Sequence, residues 1–172
     1  MPNWCNNSLV VSGPKADQDS FYEAIKHEGD FRLIEAFLPA SEYHSTQAGY
    51  NNGGYEWCIT TWGTKWPEGE LQVHYDPNAI NMSFETAWAP PLPAIEKIAA
   101  LWPTLTFYIE WSEPGMQFCG AALYRGDHSV LVEDEFTFDG DGEDWLAFQE
   151  VMDEAREACA QKVWAQIQET VS

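Results

Sequence analysis

Basic residues are scarce in this sequence. It contains eight Lys and Arg residues against 28 Asp and Glu residues, which gives a formal net charge of −20 at pH 7. A surface of that sign repels phosphate groups, so the composition argues against direct binding to nucleic acid or to an anionic membrane. It favours a basic protein as partner. The competing interpretation is that the acidity only keeps the protein soluble.

Closely spaced cysteines are also absent. The four cysteines, Cys5, Cys58, Cys119 and Cys159, stand singly and form no C-x-x-C pair. Zinc sites and iron–sulfur clusters need closely spaced ligands, and disulfide frameworks belong to oxidising compartments. The sequence therefore predicts reduced thiols, mostly buried, and neither a metal nor another cofactor.

Long apolar runs are missing as well. No run approaches the roughly 20 apolar residues that cross a bilayer, and residues 1–5 lack the basic start and apolar stretch of a signal peptide. We therefore expect the protein to stay in the cytoplasm, away from membranes. Hydrophobic residues nevertheless make up 45% of the chain, which is enough for a packed core.

Hydrophobic periodicity predicts an α+β domain. Strands are predicted at residues 7–12, 55–62, 71–75, 81–88, 104–111, 116–124 and 129–138. Helices are predicted at residues 14–28, 92–102 and 143–170, and residues 31–38 fit a short strand or a helical turn equally well. Residues 40–55 are polar and glycine-rich, which is typical of a long loop. The last three strands are close enough in sequence to form an antiparallel meander.

The composition changes at Glu133. Residues 133–172 hold 12 of the 28 acidic residues and only two basic ones, Arg156 and Lys162. The apolar residues of the predicted C-terminal helix recur every three or four positions, at Trp145, Phe148, Met152, Ala155, Cys159, Val163 and Ile167. At 1.5 Å per residue this helix would be roughly 40 Å long. We therefore expect part of it to overhang the domain, to fray or to pair with a second chain, which would allow a homodimer.

Four sequence blocks together resemble a known family. They are MPNWCNN at residues 1–7, WGTKW at 62–66, FETAWAPP at 84–91 and FCG at 118–120. This combination is similar to the YubB-like or Api-like family, whose members are found on phages, plasmids and integrative elements of bacteria. The resemblance covers about residues 1–125. It implies a ferredoxin-like domain but no catalytic residues, because the family has no established biochemical activity.

The resemblance and the periodicity together predict the organisation of the chain. Residues 1–138 are expected to form a ferredoxin-like α+β domain with an extended antiparallel sheet and two helices on one face. Residues 139–172 are expected to form a long acidic helical segment that packs on this domain or projects from it.

The acidic residues that follow position 132 are the first candidate for partner binding. Carboxylates along a strand and a helix can occupy a groove built for phosphates, so the protein would mimic nucleic acid. The candidate residues are Glu133, Asp134, Glu135, Asp139, Asp141, Glu143, Asp144, Glu150, Asp153, Glu154 and Glu157. Residues 139–144 resemble a calcium loop, but Asp144 stands where that loop needs glycine, so a turn that caps the helix is favoured.

An aromatic surface is the first alternative. Trp62, Lys65, Trp66 and Trp88 could together bind a nucleobase or a peptide by stacking around a cation. Alternation along residues 81–88 predicts Trp88 on the same strand face as Phe84. The competing interpretation is that these tryptophans pack the sheet against the helices, with Lys65 lying over an indole ring.

An enzyme of unknown class is the second alternative, and the sequence gives it little support. It contains no nucleophile elbow, no H-E-x-x-H motif and no phosphate-binding glycine loop. Cys5 or Cys58 could act as a nucleophile only if a histidine lay beside it in space. The lack of such motifs predicts a non-enzymatic protein, and the family resemblance implies an accessory protein of a phage or mobile element. Its expected partner is a basic host protein, such as a nucleic-acid-handling defence or repair factor that it inhibits.

Overall fold

The structure, a computed structural model, describes residues 3–138 and 145–171, with the side chains of residues 3–138 and 146–168. Its strands are β1 (Trp4–Ser12), β2 (Lys26–His27), β3 (Asp30–Phe31), β4 (Gly69–Tyr75), β5 (Ala79–Ala87), β6 (Thr106–Glu113), β7 (Phe118–Arg125) and β8 (His128–Glu135). Its helices are α1 (Lys15–Ala24), α2 (Ile34–Phe37), α3 (Gln47–Gly49), α4 (Tyr55–Trp62), α5 (Leu92–Leu101) and α6 (Trp145–Val171). A π-type turn (Tyr50–Gly54) joins α3 to α4.

Six of the strands form one antiparallel sheet in the order β4-β5-β1-β6-β7-β8, while β2 and β3 form a separate hairpin. With α1 and α5, the strands β1, β4, β5 and β6 follow the strand–helix–strand–strand–helix–strand order of a ferredoxin-like domain. Strands β7 and β8 extend the sheet beyond β6 as the predicted meander. The predicted α+β fold with an extended sheet is confirmed.

One face of the sheet packs against α1 and α5. Alternate residues of the central strands point to these helices and are buried, as the period of a strand requires. The cluster includes Leu9, Val11, Phe21, Ile25, Ile80, Met82, Phe84, Ile95, Ile98, Phe107, Ile109 and Trp111. Burial of this apolar surface is the main force that holds the domain together.

The glycine of the FCG block, Gly120, lies against the ring of a buried tryptophan. A Cβ atom at Gly120 would lie 2.2 Å from the ring of Trp111, its partner on the neighbouring strand β6. Only a residue without a side chain leaves room for this ring in the core.

The opposite face of the sheet is covered by α6 over β6, β7 and β8. The apolar stripe predicted for this helix is confirmed for the members whose side chains are described. Phe148, Met152, Ala155, Cys159, Val163 and Ile167 all pack against a sheet cluster centred on Cys119 and Ala121. The stripe is therefore covered by the sheet of the same chain.

The half of that face formed by β4, β5 and β1 is not covered by α6. Asn6, Ser8 and Ser83 are exposed there. The strand aromatics Phe84, Phe107 and Trp111 point to the other face and are buried. These three rings are therefore not available on the open half of the sheet, where Trp4, at the start of β1, is exposed beside the polar residues.

Several sequence predictions of local structure are wrong. Residues 55–62 form helix α4 instead of a strand, because Cys58 and Trp62, four positions apart, pack against Ile34 and Ala94. The predicted loop at residues 40–55 contains α3 and the π-type turn. Helix α1 ends at Ala24, before the predicted position 28, where the chain turns into the β2–β3 hairpin.

Candidate functional site

The chain bends sharply after β5, and this bend exposes Trp88. Trp88 has a φ angle of 74°, which is rare for a large side chain, and it leaves the strand that was predicted to include it. The Thr64 hydroxyl donates to the Ala87 carbonyl at 2.9 Å, and the Thr86 hydroxyl donates to the Ala89 carbonyl at 2.7 Å. The first bond fixes the residue before Trp88, and the second joins the residues on either side of Ala87 and Trp88.

Two asparagines hold the same bend, Asn3 just before β1 and Asn7 within it. The Trp88 amide donates to the Asn3 carbonyl at 2.9 Å. The buried Asn7 side chain donates to the Thr86 hydroxyl at 2.9 Å and to the Phe84 carbonyl at 3.4 Å. Residues from the first three family-like blocks thus converge on one backbone bend.

An open cleft lies beside this bend, and we call it the Trp88 cleft. It encloses about 820 Å³ and is lined by Trp88, Met116, Phe118, Glu133, Asp134 and Glu135. Trp88 is 46% exposed and Met116 is 67% exposed. The cleft combines an aromatic and apolar surface with three carboxylates.

The β6–β7 turn and strand β8 bring these residues together. The buried Glu113 carboxylate accepts hydrogen bonds from the backbone amides of Gly115, at 3.2 Å, and Met116. Phe118 is paired with Glu135 across β7 and β8. The turn therefore positions Met116 beside the end of β8.

Strand alternation divides the three acids of β8 between two faces. Asp134 points toward α6, where its carboxylate accepts from Lys162 at 3.0 Å, and this ion pair lowers the pKa of Asp134. Glu133 and Glu135 point to the other face. Among the described residues, neither has a Lys, Arg or His nitrogen within 4.0 Å.

The acidic residues of α6 whose side chains are described lie on its solvent side. Glu150, Glu154 and Glu157 are exposed and share one face of the helix, since they are spaced by three or four positions. Arg156 flanks the buried stripe and contacts Asp153 at 3.1 Å and Glu110 at 3.7 Å.

Seven predicted acidic residues are therefore exposed, and we call them the acidic surface. They are Glu133, Asp134, Glu135, Glu150, Asp153, Glu154 and Glu157. The two basic residues of this region, Arg156 and Lys162, are engaged in ion pairs. The predicted residues Asp139, Asp141, Glu143 and Asp144 lie outside the described residues.

The four residues of the predicted aromatic surface line two different clefts. Trp62 is 3% exposed and its indole nitrogen donates to the Leu38 carbonyl at 2.8 Å, so it packs the core. Lys65 lies 4.5 Å from the centroid of the Trp66 ring. Trp88 belongs to the Trp88 cleft instead, so the structure separates it from the other three.

A second cleft contains Trp62, Lys65 and Trp66, three of the four residues of the predicted aromatic surface. It encloses about 470 Å³, and Glu35, His44, Tyr50 and Cys58 are among its other lining residues. The His44 Nδ1 and Tyr50 hydroxyl are buried without a hydrogen-bond partner among the described residues.

Neither cysteine considered as a nucleophile is activated by its surroundings. Burial raises the pKa of the Cys58 thiol, and no hydrogen bond joins Cys58 to His44 in the described part of the chain. Burial and the nearby Glu113 raise the pKa of Cys5. Both thiols are therefore held in the protonated form, which is the weaker nucleophile.

Two other properties follow from the described residues. None of the helices within them has both the length and the apolar character needed to span a membrane. No three His, Cys, Asp or Glu side chains among them come together in a way that could hold a metal ion.

The architecture defines a ferredoxin-like domain with two added strands and a C-terminal helix. Residues 61–157 match the family described as "Ferredoxin-like domain in Api92-like protein", which is more than half of the chain. This chain belongs to the family of Api92-like proteins. The matched range includes three of the four blocks and continues through β8 into α6, beyond the resemblance seen in the sequence.

A solved structure supports the same fold. The chain is similar to the crystal structure of protein Api92 from Yersinia pseudotuberculosis, with a TM-score of 0.56 and 10% sequence identity over 81% of this chain and 100% of that chain. At this identity the likeness concerns the fold alone. A search of curated proteins found no match.

Proposed function

We propose that this protein is a non-enzymatic binding module that engages a basic protein through the acidic surface. The observation that carries the proposal is the arrangement of charge on β8 and α6. The seven side chains of the acidic surface are exposed, while Arg156 and Lys162, the bases of this region, are engaged in ion pairs. The surface therefore offers negative charge that a basic partner would neutralise.

The spacing of the acids fits mimicry of nucleic acid. Glu150, Glu154 and Glu157 follow one side of α6, and Glu133 and Glu135 follow the side of edge strand β8 that points away from α6. Carboxylates in such rows can occupy a groove that binds phosphates. In this proposal the partner is a nucleic-acid-handling protein of a bacterial host. The module would be an accessory protein of a phage or mobile element that inhibits this partner in the cytoplasm.

The test is a comparison of two variants with the same change in charge. Glu150→Gln, Glu154→Gln and Glu157→Gln together remove three charges from the acidic surface. Glu28→Gln, Glu42→Gln and Glu56→Gln remove three charges from exposed positions elsewhere. Both sets replace Glu with a residue of the same size.

We expect the immobilised wild-type protein to retain a basic partner from a bacterial lysate at ~100 mM salt and to release it at ~500 mM salt. The control variant should retain the same partner, and the α6 variant should lose most of it, as quantified by mass spectrometry. The proposal is wrong if the α6 variant retains the same proteins as the wild type.

Two further variants, Trp66→Ala and Trp88→Ala, test the aromatic alternative. If a single-stranded oligonucleotide bound the wild type and lost affinity on Trp66→Ala or Trp88→Ala, the protein would be a nucleic-acid-binding module. The exposed ring of Trp66, with Lys65 beside it, is the feature that favours this alternative.

A further inference from the structure

Among the exposed tryptophans, Trp88 differs from the others in its surroundings. Trp4 and Trp66 contact each other, with ring centroids 6.3 Å apart, and Trp164 lies 5.1 Å from the Tyr108 ring. In the described part of the chain, no aromatic ring or basic nitrogen contacts the ring of Trp88. Its exposed indole is therefore free to contact a ligand.

The acidic side chains of the Trp88 cleft favour a positively charged ligand. Glu133 and Glu135 have no basic neighbour within 4.0 Å among the described residues, so the cleft carries negative charge that the protein itself does not neutralise. An indole ring attracts a cation at its face, and carboxylates bind a cation at their oxygens. Both features favour the same occupant, a cationic organic group.

We infer that the Trp88 cleft binds an arginine side chain of the basic protein partner. A guanidinium group is planar, so it can stack on an indole ring while its edge donates two hydrogen bonds to a carboxylate, which a lysine ammonium cannot do. The exposed Met116 side chain is flexible and offers the stem of such a residue an adaptable apolar contact.

The size of the cleft fits a peptide segment better than a single side chain. At about 820 Å³ it is within the range of ligand sites in proteins. Because Glu135 ends the edge strand β8, an extended segment can approach from solvent. The arginine would anchor this segment, and the acidic residues of α6 would attract the rest of the partner. This inference rests on the proposed function, since it names the anchor point of the same partner.

The experiment measures binding of two short fluorescent peptides, one of alternating Arg and Gly and one of alternating Lys and Gly, by fluorescence anisotropy. We expect the wild type to bind the arginine peptide more tightly than the lysine peptide. Trp88→Ala should weaken binding of the arginine peptide roughly tenfold, and Glu133→Gln with Glu135→Gln should do the same. Trp66→Ala, which removes an exposed indole outside the cleft, should change it by less than about twofold.

Trp88→Phe keeps an aromatic ring and should retain most of the binding, which also guards against a folding defect in Trp88→Ala. The inference is overturned if Trp88→Ala and Trp88→Phe both bind like the wild type, or if the two peptides bind equally well.

The α6 variant separates this result from the proposed function. If Trp88→Ala retains the lysate partner while the α6 variant loses it, the cleft inference fails and the proposed function stands. If neither variant loses that partner, both fail.

Discussion

Position 63 has to be glycine for two separate reasons. Gly63 ends helix α4 with a φ angle of 82°, in the left-handed region that favours glycine. A Cβ atom there would also lie 2.4 Å from Cδ of Pro93, at the start of α5. The glycine thus lets Thr64 follow α4 directly and reach the bend that exposes Trp88.

We expect Gly63→Ala to lower the free energy of unfolding by roughly 2–4 kcal/mol, because the backbone strain of about 1–2 kcal/mol is joined by the clash with Pro93. Urea denaturation measures this change. Gly29→Ala is the matched control, since Gly29 has a φ angle of 92° but nothing within 4 Å of its would-be Cβ. Equal losses in the two variants would show that the contact with Pro93 contributes nothing.

At the scale of elements, the packing of α6 on β7 includes two buried thiols. The sulfur atoms of Cys119 and Cys159 lie 4.0 Å apart, between the helix and the sheet. Burial raises the pKa of Cys119 from its ordinary 9.0 to about 12, and burial also raises the pKa of Cys159. The folded protein therefore holds these protons more tightly than the unfolded chain does.

This difference predicts how stability changes with alkaline pH. The contribution of the two thiols is fully present below pH 9 and is lost as pH rises from 9 toward about 12. Urea denaturation at a series of pH values should show stability falling above pH 9. A Cys119→Ser, Cys159→Ser variant should lose less stability over the same pH range. The loss that remains in this variant comes from other groups such as Tyr124, because burial raises the pKa of Tyr124 to about 12. Parallel declines in the two proteins would contradict the prediction.

At the scale of the whole molecule, a net charge of −20 opposes folding by self-repulsion. We expect the melting temperature to rise as salt increases from ~20 mM to ~200 mM, because salt screens exposed charges. The α6 variant should melt higher than the wild type at low salt and gain less from added salt. Differential scanning calorimetry measures both effects, and a melting temperature that does not depend on salt would disprove this explanation.

A comparison of the α6 variant with the control variant, which is changed at Glu28, Glu42 and Glu56, separates the effect of net charge from the effect of local charge. If net charge alone decides the salt response, the two triple variants should respond equally. A larger effect of the α6 variant would locate most of the repulsion on the acidic surface.

Local periodicity predicted much of the fold because it depends only on neighbouring residues. Strand β5, helix α5 and the apolar stripe of α6 could be read from the sequence, since one face of each is buried against the core. Helix α4 could not, because a short run such as residues 55–62 fits both a strand and a helix. Contacts of Cys58 and Trp62 with residues distant in sequence decided between the two.

The sequence by itself determined the class of the fold, the family and the charge that favours a basic partner. It placed the acidic residues and Trp88 in separate hypotheses, because they lie more than forty positions apart along the chain. Only the tertiary structure decided that Trp88 shares a cleft with Glu133 and Glu135. The Thr64 hydroxyl donates to the Ala87 carbonyl and the Asn3 carbonyl accepts from the Trp88 amide, and these two bonds hold Trp88 in the bend after β5. The pairing of β7 with β8 brings the carboxylates beside it. These are long-range contacts, and no local pattern encodes them.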